Sequence, residues 1–177
     1  MKQLLCIAAG AVMLTACGGG STKTSDDIII SEDINMEHRV LNFDNTRKEG
    51  GAHSGQYYSG VDVSNKYGAG YAMVIADSLK EKNMTVYVDG WMREKEAPLE
   101  GGIAVSLSTS QGTKFWKVLV PANKTEANQW VHVKDSVTIN KDLLKDKFVE
   151  IGVFGYKDNG PDALDMDDLH IKYKFFK

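Results

Sequence analysis

Hydrophobic and polar residues alternate along most of this chain, in short runs separated by turn-forming clusters. The longest run is the last: Leu169, Ile171, Tyr173 and Phe175 fall on one side, Asp168, His170, Lys172 and Lys174 on the other. A repeat of two residues marks a strand with one buried face. Thr85 to Trp91 behaves in the same way, with Val86 and Val88 set against Tyr87, Asp89 and Trp91. Strands are also predicted at Ile28 to Ile30, Arg39 to Asp44, Tyr71 to Ile75, Ile103 to Ser108, Lys114 to Val120 and Phe148 to Phe154. Trp130 to Ile139 alternates too, with an irregularity expected after Val133. Thr46 to Gly60 is polar and glycine-rich and reads as a surface loop, and Asn140 to Lys147 has room for one helical turn. No helical periodicity persists for three turns. Many short strands at fairly regular spacing define an all-β protein, a β-sandwich or barrel.

The front of the chain breaks this pattern. Met1-Lys2-Gln3 gives a positive start, and Leu4 to Leu14 is an apolar run too short to stay in a bilayer as a helix. It reads as a secretory signal. Leu14-Thr15-Ala16-Cys17 resembles the lipobox of bacterial lipoproteins, in which the Cys is acylated. That resemblance implies a signal peptide over residues 1–16, lipidation at Cys17 and a membrane as partner. Residues 17–27, rich in Gly, Ser and Thr, form a flexible tether. The remaining 28–177 are enough for one domain with a sizeable core.

Composition narrows the partners. Residues 1–16 carry one Lys and no acid, so the net charge of −3 becomes −4 once they are removed. That balance argues against nucleic acid. The two cysteines are Cys6, inside the signal, and Cys17, the expected lipid carrier. The mature chain is then without disulfides and depends on core burial.

Three segments together carry a second resemblance: Ser54-Gly55-Gln56-Tyr57-Tyr58-Ser59, Asn128-Gln129-Trp130-Val131-His132-Val133 and Met166-Asp167-Asp168-Leu169-His170-Ile171. In order and spacing they resemble the galactose-binding-domain-like jelly rolls, which include several families of carbohydrate-binding modules. Similar domains are common in exported proteins of Bacteroidetes-type bacteria, in keeping with the lipobox. The resemblance implies a jelly-roll sandwich and a structural calcium where the early strand, the Ser-Gly turn and the closing strand meet. Its ligands would be Asp44, the carbonyls near His53 and Gln56, and Asp167, with Asp168 as the alternative. Calcium takes six to eight oxygens of this mixed kind.

Little in the sequence points to catalysis. The four histidines, His38, His53, His132 and His170, fall in separate segments, and there is neither a Gly-x-Ser-x-Gly elbow nor a Walker loop. Asp165, Asp167 and Asp168 are the only dense carboxylates, the pairing a glycosidase needs. Binding is the stronger expectation. Sugars stack on aromatic rings beside polar groups: Tyr87 and Trp91 lie opposite Val86 and Val88, Trp116 sits beside Lys117, and Tyr156 follows Phe154 at strand spacing. Ser106 and Ser108 could add hydroxyls. The expected function is therefore a lipid-anchored module of the bacterial cell envelope, of the outer membrane by resemblance, that binds a polysaccharide without catalysis. The alternatives are a structural or protein-interaction lipoprotein and a glycan-active enzyme.

Overall fold

The structure, a computed structural model, describes residues 27–37, 46–62, 65–96, 98–125, 127–158 and 163–177. Ten strands follow one another: β1 (Ile28–Ile34), β2 (Arg47–Glu49), β3 (Tyr57–Val61), β4 (Tyr67–Val74), β5 (Asn83–Glu94), β6 (Gly102–Thr109), β7 (Gly112–Leu119), β8 (Val131–Ile139), β9 (Val149–Tyr156) and β10 (Leu164–Phe176). Single 3-10 turns at Asp77–Leu79 and Lys141–Leu144 complete the described regular structure.

All pairings are antiparallel and fall into two sheets. The first runs β2-β3-β10-β5-β8, with β1 also on β10; the second runs β4-β9-β6-β7. Setting aside the β2–β3 hairpin, the orders β1-β10-β5-β8 and β4-β9-β6-β7 are those of a jelly roll, two interlocked Greek keys. The expected all-β jelly-roll sandwich is thus what the chain forms.

The core lies between the sheets. Val86, Val88, Val133, Val137, Ile171, Tyr173 and Phe175 of the first sheet meet Ile103, Val105, Leu107, Ile151 and Val153 of the second, each under a tenth exposed. Each strand contributes every second residue, as the alternation predicts.

β10 holds the first sheet together. One of its edges pairs along its length with β5. The other is shared end to end, Leu164–Met166 with β3 and Leu169–Phe175 with β1. Between those halves the register to β5 slips, so that Asp168 and Leu169 both oppose Gly90. Asp168 takes a φ of 47°, the left-handed conformation that Asp tolerates better than most residues. This is a β-bulge, and it re-aims the side chains beside it.

Three expectations change. Thr46 to Gly60 is not a loop throughout but holds β2 and β3, paired from Arg47↔Ser59 to Glu49↔Tyr57. The strand predicted from Tyr71 starts earlier, because β4 begins at Tyr67. No irregularity interrupts β8, which pairs continuously with β5; instead Asp135 takes an inward-parity position and stays exposed because β8 is an edge. The strand expected at Arg39 to Asp44, and with it Asp44 itself, lies outside the described residues, as do the signal and Cys17.

Candidate functional site

The outward face of the first sheet is built in rows, one residue per strand, read from the register. Ser31, Lys172, Tyr87 and Ser136 form one row across β1, β10, β5 and β8. The next is Asp33, His170, Asp89 and Lys134. Beyond it, Asp167 precedes the bulge and faces Trp91 and His132, and a last row sets Asp165 beside Arg93.

The first two rows line a groove of about 540 Å³. Tyr87 lies in it 37% exposed, with the Lys172 ammonium 4.7 Å from its ring centroid. Asp89 accepts from His132 Nε2 at 2.6 Å and from Lys134 Nζ at 2.7 Å. Lys134 above all, and then His132, hold the Asp89 carboxyl below its ordinary value against the opposing effect of burial. His170 Nδ1 sits 2.5 Å from Asp33 Oδ1. The groove therefore offers acceptors and donors side by side around one open ring.

At the far end the loop before β3 folds onto β10. Ser54 donates its N–H to Asp167 Oδ2 at 3.0 Å and its hydroxyl to Asp168 Oδ1 at 2.7 Å. His53 Nδ1 lies 2.9 Å from Asp168 Oδ2. Burial raises the Asp167 carboxyl, with the Ser54 N–H opposing and the Asp168 charge adding to the rise. The same imidazole stacks on Trp91 at 4.0 Å, and His132 stacks on Trp91 at 4.9 Å. One imidazole comes from the β10 side and the other from β8, so Trp91 is the middle of a stack rather than an open platform. Arg93 donates Nε and Nη2 to Asp165 Oδ2 at 3.0 and 2.7 Å and Nη1 to the Gly51 carbonyl at 2.9 Å. It also lies 4.6 Å from the Trp130 ring centroid. Burial raises the Asp165 carboxyl even so, although Arg93 pulls it down.

The calcium ligands expected by resemblance come together only in part. Asp167, Asp168 and the His53–Gln56 turn do meet. Both carboxylates, however, already accept from N–H and O–H donors, and the Gln56 carbonyl accepts the Gly50 N–H at 2.8 Å. Among the described residues no three His, Cys, Asp or Glu side chains gather as a metal site. The described part of the site thus lacks the oxygen cage calcium takes. A carboxylate that sequence reasoning overlooked, Glu37, caps this turn: its Oε1 accepts the N–H groups of Gln56 and Tyr57, each at 2.7 Å.

Of the four aromatic residues expected as one platform, Tyr87 and Trp91 lie on the first sheet. Trp116 and Tyr156 lie on the outer face of the second, 4.9 Å apart and edge to face. The single platform expected from sequence is therefore two surfaces on opposite sides of the sandwich.

No family model matches the chain, and no curated protein is similar to it. Similar solved structures come from infectious bursal disease virus. The Gx strain structure is 11% identical with a TM-score of 0.48, over 91% of this chain and 36% of that one. For the Gt strain the values are 10%, 0.43, 86% and 31%; for the VP2 subviral particle, 8%, 0.39, 90% and 42%. This chain spans well under half the length of each. These neighbours are viral proteins rather than carbohydrate-binding modules. On its own strand order the chain is a jelly-roll β-sandwich with one polar, grooved sheet face and one aromatic face.

Proposed function

We propose that this chain is a non-catalytic, glycan-binding module held at a bacterial cell envelope by a lipid on Cys17. The groove on the first sheet carries the reading. An exposed tyrosine ring lies among alternating carboxylates, ammonium groups and imidazoles, which suits a ligand with an apolar C–H face and a rim of hydroxyls. Asp89 with Lys134, and Asp33 with His170, each place an acceptor next to a donor, the arrangement a pair of neighbouring hydroxyls can bridge. Calorimetry against soluble polysaccharides tests it. Binding should weaken about three- to tenfold in Tyr87→Ala, the loss expected for one ring contact. Absence of heat across the panel would remove the reading.

Membrane attachment belongs to the same proposal. Acyl groups on Cys17 should show in the mass of the mature chain, and Cys17→Ala should move it from the membrane fraction to the soluble one. A structural calcium is proposed only with Asp44 as a further ligand. A thermal midpoint that falls on chelation and recovers with calcium supports it; an unchanged midpoint removes it.

A second reading, a protein-interaction or structural lipoprotein, is favoured by one observation. Asp89 is already paired with His132 and Lys134, and Asp33 with His170, so much of the groove's charge is balanced without a sugar.

A further inference from the structure

The outer face of the second sheet has a different character. Its register places Tyr67 and Tyr156 in one row, Gly70, Phe154, Ala104 and Val118 in the next, and Ala72, Gly152, Ser106 and Trp116 in a third. None of these side chains is ionisable at neutral pH. Among the described residues, charge flanks these rows at the ends, with the Lys66–Asp158 pair at 3.0 Å on one side and Glu150 on the other. Tyr67 is 51% exposed and Trp116 43%.

The glycines explain how the rings lie. A Cβ on Gly152 would sit 3.1 Å from Phe154 Cε1, and one on Gly70 would press into the Phe154 Cβ at 2.5 Å. Phe154 therefore lies across the backbone of its neighbours instead of standing off the sheet. Tyr67 and Trp116 flank it at centroid distances of 5.6 and 5.7 Å, and Tyr156 closes the group against both. Four rings from three strands make one continuous aromatic surface, and a contiguous exposed surface of this kind marks an interaction site.

We infer that this face is a second glycan-binding surface, separate from the groove, for a neutral polysaccharide presented as an ordered solid. It rests on the glycan reading above. The charge pattern selects the occupant. A face with no ionisable group in three rows gives no purchase to anionic headgroups or to a charged protein. A neutral pyranose needs only rings beneath it and hydroxyl partners at its edge. Those partners are in place at one end: the Tyr156 hydroxyl, hydrogen-bonded to Asp158, and the Lys66 ammonium on the same carboxylate.

Retention of the full chain, in detergent, on microcrystalline cellulose and on chitin tests the inference beside the soluble-glycan calorimetry. The wild type should be retained on at least one solid. Trp116→Ala should cut that affinity about three- to tenfold, one ring contact, while Tyr87→Ala leaves it unchanged. Tyr67→Ala, on the opposite edge strand, should do the same and serves if Trp116→Ala does not fold. Retention unchanged in both variants overturns the inference, as does retention lost only with Tyr87→Ala. So does a Trp116-dependent dimer, or Trp116-dependent binding to phosphatidylcholine vesicles. Heat with soluble glycans but no retention on either solid overturns this surface alone; neither heat nor retention overturns the groove as well.

Discussion

Glu94 shows how one buried charge closes this sandwich. Its side chain is wholly buried on the inward side of β5. Oε2 pairs with Lys157 Nζ at 2.5 Å, and Oε1 accepts the N–H groups of Glu100 and Gly101 at 3.0 and 2.7 Å. Removing one partner of such a pair strands the other away from water, which costs about 3–5 kcal/mol. Glu94→Ala should lose stability on that scale in urea unfolding, and Glu94→Ala with Lys157→Met should recover part of it. Asp165 and Asp167 behave differently, because burial raises both above the ordinary 3.8. Just above that value the folded state binds more protons than the unfolded chain, so their contribution to stability grows as pH falls. Asp89, lowered by Lys134, acts in the opposite sense, and its contribution is lost only below 3.8. Between pH 7 and about pH 4.5, Asp167→Asn should therefore gain less stability than the wild type; an identical gain would show that Asp167 does not titrate there. None of these partnerships could be read beforehand. Glu94 sits at a core position of an alternating strand, and nothing local announces that Lys157, 63 residues later, will meet it.

The strands themselves were largely readable, since each needs only that alternate residues meet the core. Even the β10 bulge left a trace. Leu164 and Met166 point inward at even positions, whereas Leu169, Ile171, Tyr173 and Phe175 do so at odd ones, and the change of phase is the inserted residue. The β2–β3 hairpin left none. Arg47, Lys48 and Glu49 form a short charged edge with no apolar side, and β3 buries Ser59 and Gly60 beside Val61. Charged edges of this sort discourage pairing with other chains; Asp135 on β8 and Glu32 on β1 do the same from inward-parity positions. The β4–β9 pairing depends on Gly70, where a Cβ would run into the Val153 carbonyl oxygen. Gly70→Ala should cost about 1–3 kcal/mol, the usual penalty for overpacking. Unchanged urea unfolding would mean that β4 can move away from β9 at no cost.

The largest gap between sequence and structure concerns the sandwich as a body. Alternation says whether a side chain points in or out, but not which sheet carries it. Trp91 and Trp116 are both outward residues of alternating strands, and only the jelly-roll path sends them to opposite sides. Variants on the two faces should therefore combine independently: the losses of Tyr87→Ala and Trp116→Ala, read on soluble and solid glycan respectively, should each be unaffected by the other. The position of β1 sets the orientation of both faces. Ile28 pairs with Phe175, whereas Asp165 and the Ser54 turn sit toward the opposite end of β10. Ten residues of strand separate Phe175 from Asp165, roughly 34 Å at about 3.4 Å per residue. A dye attached at Lys177 would thus report on the place where the polypeptide enters the fold, and one at Gly51 on the remote tip. If the lipid proposed on Cys17 holds the chain at a bilayer, distance measurements from that bilayer to the two labels would tell whether the sandwich stands upright or lies on its side.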